Sequence, residues 1–200
     1  MKVLTPTIVN PIERMDAPES AWLISECIAG NENAIEMFVR LHETNVFRLA
    51  LSIVGDQAEA NEITQETFLS ALRSLRTYQE KNSLKAWLYT IALNHSRNHL
   101  RKQKILERLR TAATALFQIE EHRKQPSPED AVIQDEKEAV IWSELNKLDE
   151  RYRTVVVLRY FHELSISEIS EILNINEGTI HSRLHTARER LKSRLEDIHE

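Results

Sequence analysis

Apolar residues recur at three- and four-residue spacing along most of this chain, a period that predicts helices and no sheet. A first helix is predicted from Glu19 to Ala29, where Gly30-Asn31 breaks the pattern. A longer helix follows to Val54, with Ile35, Phe38, Val39, Leu41, Val46, Phe47, Leu49 and Ala50 as its apolar surface. Gly55-Asp56 turns the chain into a third helix, about Ala58 to Leu75. After a loop from Arg76 to Ser83, a fourth helix starts near Leu84 and runs into a basic tract. The polar stretch Gln118 to Asp135 contains Pro126 and Pro128 and reads as a linker. Beyond it, Val140, Ile141, Leu145 and Leu148 resume helical spacing.

The last third carries the most information. One helical pattern ends near Phe161, a short one covers Ile166 to Leu173, and a polar turn follows at Asn174 to Asn176. A longer helix rich in Arg and His comes next. This is the sequence form of a helix-turn-helix, whose second helix can enter a DNA major groove. The fold class is therefore all-α, with two small helical domains joined by a flexible linker. The predicted boundaries are a tail at 1–18, a first domain at 19–115, a linker at 116–136 and a helix-turn-helix domain at 137–200.

Charge changes the picture. The net charge is −5, but residues 183–194 hold five Lys or Arg against Glu189 alone. Residues 94–110 hold six against Glu107 alone. An acidic total thus leaves nucleic acid open as a ligand, since binding depends on local patches. The single cysteine, Cys27, falls in the apolar pattern of the first helix and reads as a buried, inert thiol. The first residues lack a basic segment followed by an apolar run, and no apolar run approaches membrane-spanning length. A soluble, cytoplasmic protein without membrane insertion is expected.

On a helical wheel with Ile180 at zero, Leu184, Ala187 and Leu191 fall within about 40°, forming the buried stripe. His181, Ser182 and His185 fall opposite, near the helix N-terminus where recognition helices touch base edges. Arg183 and Arg188 lie on the flanks and suit phosphates. Asn176 is placed to cap this helix, and Gly178 to let a DNA backbone or a neighbouring helix come close. An ordinary solvated cationic face is the competing reading, and the short preceding helix weighs against it.

In the first domain, Ala60, Ile63, Thr67, Phe68, Ala71 and Leu75 point to one side of the third helix. Glu59, Glu62, Glu66 and Arg73 point to the other, either as solvated surface or as a dock for a basic partner helix. On the fourth helix, Trp87, Leu88, Ile91 and His95 group on an inward face. Thr90, Asn94, Arg97, Arg101 and Lys104 recur along a wet face suited to a nucleic-acid backbone. Tyr78 is placed either to stack on an unpaired base or to anchor the preceding loop. His95 and His99 have the i, i+4 spacing of metal ligands, but they lack the intervening Glu and sit among cations. Nothing has the form of a nucleophile triad, a phosphate-binding glycine loop or a paired-carboxylate site. The sequence supports neither catalysis nor a cofactor.

With these residues identified, the chain resembles a bacterial RNA polymerase sigma factor of the sigma-70 family, extracytoplasmic-function (ECF, group IV) type. AEANEITQETFLSALRSL is similar to the region-two helix that grips the polymerase clamp. SLKAWLYTIALNHSRNHLRKQ is similar to the promoter-melting segment. LDERYRTVVVLRYFHELSISEISEILNINEGTIHSRLHTARERL is similar to region four. The likeness covers about residues 20 to 195.

The resemblance implies that Glu59, Glu62, Gln65 and Glu66 belong to the surface for the clamp helices of the largest subunit. It implies that the loop containing Tyr78, Lys81, Asn82 and Ser83 holds a flipped base of the minus-ten element. Thr90, Asn94, Arg97, Arg101 and Lys104 would follow the melted strand. Thr179, His181, Ser182, Arg183, His185, Thr186 and Arg188 would engage the minus-thirty-five duplex. The implied partners are core polymerase, through clamp helices and flap region, promoter DNA in duplex and melted form, and an anti-sigma factor.

The chain departs from the family's pattern in places. The family often has Lys or Arg at His181 and Arg at Thr186, and the loss of those cations bears on the upstream sequence preference. Asn61 and Thr64 stand where Glu and Val are frequent. The alternative function is a stand-alone helix-turn-helix regulator, which predicts a dimer on symmetric half-sites. Geometry permits two tethered readers. About sixteen flexible residues have a root-mean-square reach of roughly 20–24 Å, enough with two domains to straddle more than one duplex turn of ~35 Å.

Overall fold

The computed structural model describes residues 17–78, 83–117 and 136–196. Side-chain surroundings are described for residues 21–78, 83–111 and 141–194. Eight α-helices are present among the described residues: α1 (Ala17–Ala29), α2 (Glu32–Val54), α3 (Gln57–Ser74), α4 (Leu84–Phe117), α5 (Glu136–Asn146), α6 (Glu150–Val156), α7 (Ile166–Leu173) and α8 (Glu177–Glu196). A 3-10 turn at Leu75–Thr77 extends α3, and a wide π turn at Val157–Phe161 extends α6. Residues 1–16 of the predicted tail, loop residues Lys81 and Asn82, and most of the predicted linker lie outside the described residues, while Ala17 and Pro18 are helical rather than tail. The first helix begins two residues earlier than the apolar pattern suggests, because Pro18 is tolerated in a first helical turn.

Local chemistry sets the helix ends. Asn31 Oδ1 accepts from the amides of Asn33 at 3.1 Å and Ala34 at 3.4 Å, satisfying two orphan donors of α2. At the far end Gly55 adopts φ +81°, which a side chain would disfavour, and its amide returns to the Leu51 carbonyl at 2.8 Å. Asp56 Oδ1 then accepts from Glu59 N at 2.9 Å and starts α3. In the second domain, Ser165 and Glu168 form a reciprocal capping box on α7. Asn174 ends that helix at φ +50°. Asn176 Oδ1 accepts from Thr179 N at 2.8 Å, so Asn176 caps α8 as its position in the sequence suggests.

Helices α1 to α4 enclose an apolar centre, with Leu23, Phe38, Leu49, Leu88 and Leu93 nearly inaccessible to water, beside a smaller cluster of Ala50, Ala60 and Ile63 between α2 and α3. Burying side chains of this size stabilises by roughly 1.5–3 kcal/mol each. Helices α5 to α8 bury Leu145, Leu158, Ile169, Ile180 and Leu184. The two centres are continuous: buried residues of both domains belong to one cluster. Helix α4 packs against α7, and α2 meets α6 and the π turn. The linker length permits separated domains, whereas here the domains are closed on each other.

Candidate polymerase and nucleic-acid interfaces

The third helix carries its acidic face as the spacing predicts. Ala60, Ile63, Thr67, Phe68 and Ala71 are buried, while Glu62, Gln65 and Glu66 are exposed and Glu59 is half-buried. Two of the carboxylates, Glu59 and Glu66, have intramolecular partners on α4. Glu66 Oε2 lies 3.1 Å from His95 Nδ1, and Glu59 Oε2 lies 3.2 Å from His99 Nε2. Gln103 also donates to Glu59. Ser70 Oγ sits 2.9 Å from the other ring nitrogen of His95. Each histidine thus faces a carboxylate across the α3–α4 seam. Among the described residues no group of three His, Cys, Asp or Glu could hold a metal ion. Glu62 and Glu66 line an open groove with Arg73, Asn98, Arg101 and Lys102, where acidic and basic walls meet.

On α4 the inward face is rotated from the one the sequence predicts. Ala86, Leu88, Tyr89, Ala92, Leu93 and Ser96 are buried, whereas Trp87, Ile91 and His95 are only half-buried. Contacts with α2, α3 and α7 cover more of the circumference than one amphipathic stripe. Asn94, Arg101 and Lys104 face solvent. Thr90 and Arg97 do not form part of a free wet face. Arg97 Nε donates to Glu150 Oε1 at 2.8 Å, and Thr90 Oγ1 donates to the carbonyls of Ala86 at 3.0 Å and Ile172 at 3.4 Å. Glu150 and Ile172 belong to the second domain. Tyr78 is half-buried, with its ring 5.4 Å from that of Trp87, and Ser83 is exposed at the start of α4.

Two further hydrogen bonds hold this closed arrangement, made by Arg153 and by the Tyr89–His162 pair, residues that sequence reasoning missed. Arg153 Nη2 donates to the Ile53 carbonyl at 2.7 Å, in the last turn of α2. Its Nη1 reaches Asn146 Oδ1 at 3.3 Å, and Asn146 Nδ2 lies 3.8 Å from where a Cβ on Gly55 would stand. Tyr89 Oη and His162 Nδ1 are 2.9 Å apart. Burial pushes the Arg153 guanidinium down from its usual range and the Tyr89 phenol up. Burial, then the nearby cations Lys85 and Arg48, lowers His162 to about 4. The available sequence signal was polar residues flanking an apolar run: Arg153 just before TVVVL and His162 four positions after it.

In the helix-turn-helix, α7 and α8 flank a three-residue turn, and Ser170 Oγ pins that turn by donating to the Ile175 carbonyl at 2.6 Å. Ile180, Leu184 and Ala187 are buried and Leu191 half-buried, as the wheel predicts. His181, Ser182, His185 and Arg188 are exposed; Thr179, Arg183 and Thr186 are half-buried. Thr179 Oγ1 donates to Asn176 Oδ1 at 2.8 Å, and Thr186 Oγ1 to the Ser182 carbonyl at 3.0 Å. Both hydroxyls therefore serve the helix itself in this state. Arg188 Nε donates to Tyr160 Oη at 3.0 Å, which holds the guanidinium on the outer face. Among the described residues no neighbouring helix comes within 4 Å of a Cβ built on Gly178, which would meet only Asn176 Oδ1, at 3.5 Å. Cys27 is buried, and burial raises its thiol pKa, as expected of an inert thiol.

Comparison with known proteins agrees with this architecture. Residues 38–105 match the family model for sigma-70 region 2, and residues 139–191 match that for sigma-70 region 4. The ECF RNA polymerase sigma factor SigW of Bacillus subtilis is 32% identical over 179 residues, covering 88% of this chain and 96% of that protein. The RNA polymerase sigma-H factor of Pseudomonas aeruginosa is 31% identical over 180 residues, covering 88% and 93%. The solved structure of the sigma factor RpoE bound to the anti-sigma factor NepR, from Bartonella quintana, superimposes with a TM-score of 0.61 at 25% identity, covering 80% of this chain and 96% of that one. CnrH in complex with the cytosolic domain of CnrY superimposes at 0.64 with 22% identity, covering 88% and 96%, and shares the fold. A capped helix-turn-helix with an exposed His- and Arg-bearing face, an acidic α3 and both regions in order place this chain in the sigma-70 family of RNA polymerase sigma factors, as a member of the ECF type.

Proposed function

We propose that this chain is a dissociable, non-enzymatic promoter-specificity subunit acting in the cytoplasm, with residues 19–115 attaching to core polymerase and trapping melted DNA while residues 137–200 dock upstream. The observation that carries this reading is the outer face of α8. His181, Ser182, His185 and Arg188 stand exposed over a stripe that is fully committed to the core. Glu62, Gln65 and Glu66, with Glu59 beside them, suit the basic clamp helices of the largest subunit. On the second domain the Trp142 and Phe161 rings lie 4.4 Å apart, and exposed Ile141 and Phe161 suit an apolar partner such as the flap region. Tyr78 and Ser83, with Lys81 and Asn82 between them, are assigned to a flipped minus-ten base, and Asn94, Arg101 and Lys104 to the melted strand. Thr179, Arg183 and Thr186 are assigned to the minus-thirty-five contacts beside the exposed face.

Thr90 and Arg97 join the strand-binding set once they are uncovered. Their engagement with Ile172 and Glu150 means that promoter opening requires the domains to part. An anti-sigma factor that favours the closed arrangement would hold the subunit inactive. The test is run-off transcription with purified core polymerase on genomic promoter fragments. Promoter-dependent product that requires this chain is expected. Its absence from every template, together with failure to co-purify with core, refutes the assignment.

A further inference from the structure

We propose that the seam between the two domains is a proton-sensitive latch, in which adding a proton to His162 ejects it from its seat on Tyr89 and opens the chain, uncovering Thr90 and Arg97. The latch rests on the reading of Thr90 and Arg97 as strand-binding residues only for its consequence; the opening itself does not depend on that reading.

The geometry is an interface with a titratable group set into it. His162 follows the π turn, its amide returning to the Val157 carbonyl at 3.2 Å, so the ring is fixed on the second domain. Its partner Tyr89 is a fully buried residue of α4 in the first domain. The rings meet edge to face with centroids 5.0 Å apart, and Nδ1 lies 2.9 Å from the phenol oxygen. The charged groups acting on the imidazole from the packed elements are cations. Lys85 is on α4, with Nζ 5.8 Å from the Tyr89 ring centroid, and Arg48 is on α2. Glu168 on α7 is held by Ser165 in the α7 capping box, and Lys85 acts on it as well. Glu163, next in the chain, is exposed. A neutral imidazole suits this seat. An imidazolium there is half-buried against two like charges with a phenol on Nδ1, whereas in the open chain it is fully hydrated.

The sign follows from linkage. Closed, His162 sits at about 4; open, it returns to its ordinary value of 6.5. The closed form is therefore favoured in full above 6.5 and loses ground as pH falls toward 4. Between pH 7.5 and 5.5 the closed-to-open ratio falls about tenfold. His42 is also buried and lowered, but it packs on Phe38 within the first domain and acts on folding rather than on the seam.

The experiment is single-molecule energy transfer on the full chain, with dyes on Glu43→Cys and Ser193→Cys, both exposed, while Cys27 is buried. The closed-to-open ratio is read at pH 7.5 and 5.5, with circular dichroism to follow helix content. The expected result is a tenfold fall in the closed-to-open ratio in the parent and less than a twofold change in His162→Asn, whose amide replaces Nδ1 without titrating. Tyr89→Phe is expected to lower the ratio at both pH values and keep the pH dependence. An unchanged ratio in the parent, an equal change in His162→Asn, or domains already apart at pH 7.5 overturns the latch. Neither polymerase nor promoter is present, so this outcome is independent of the transcription test.

Discussion

Replacing Arg153 by Met should open the molecule and strengthen its grip on single-stranded DNA. Arg153 is 9% exposed, and its Nη2 donates to the Ile53 carbonyl at 2.7 Å. That carbonyl lies in the last turn of α2, where the carbonyls have no intrahelical donors and the dipole is negative. A hydrogen bond from a charged donor is worth about 1.5–3 kcal/mol. Against this stands the buried Nε of the same guanidinium, which lacks a hydrogen-bond partner, and an orphaned donor costs about 1 kcal/mol or more. The net loss on substitution is about 0.5–2 kcal/mol, or roughly 2- to 30-fold in the closed-to-open ratio. Methionine keeps an apolar stem, so the α6 packing survives. Where the closed form dominates, affinity for a single-stranded minus-ten oligonucleotide rises by the same factor, because the competent fraction rises. The assay pairs interdomain energy transfer with oligonucleotide titration. Arg153→Lys, a point charge that cannot bridge both Ile53 and Asn146, should fall between parent and Met. If Arg153→Met leaves both domain separation and affinity unchanged while the helices stay folded, the guanidinium does not hold the seam.

Other substitutions probe the remaining surfaces. Arg101→Ala, on the exposed part of α4, should weaken melted-strand binding whatever the sequence and reduce the salt slope by about one, read by titration at several salt concentrations. Glu62→Arg should lower affinity for core polymerase by about tenfold or more through like-charge contact with the clamp, without altering the melting temperature. Leu184→Ala removes a side chain that is 4% exposed and should cost about 2–5 kcal/mol of second-domain stability, abolishing minus-thirty-five binding without touching DNA. His42 is lowered to about 4 by burial, so the stability it supports is complete above 6.5 and is lost as pH falls. Chemical denaturation at pH 5 should show about 2 kcal/mol less first-domain stability than at pH 7.5, and His42→Gln should flatten that dependence.

The sequence by itself determined the helices and the outer face of the reader. Asn31, Asp56, Ser165 and Asn176 act within three residues of themselves, so their caps are legible wherever the chain is read. The Ile180, Leu184 and Ala187 stripe is a one-helix property, and its period fixes where His181, Ser182 and His185 point. The α4 face was only partly legible, because three neighbouring helices rather than one decide which of its sides are dry. The docking of the domains was not legible at all. Thr90 meets Ile172 across 82 positions, Tyr89 meets His162 across 73, and Arg153 meets Ile53 across 100. A polar linker leaves the relative placement of its two ends free, and no local period records which surfaces fit. Only tertiary packing, where shape, charge and desolvation are settled together, half-buries Thr90 and Arg97 and leaves the outer face of α8 in water.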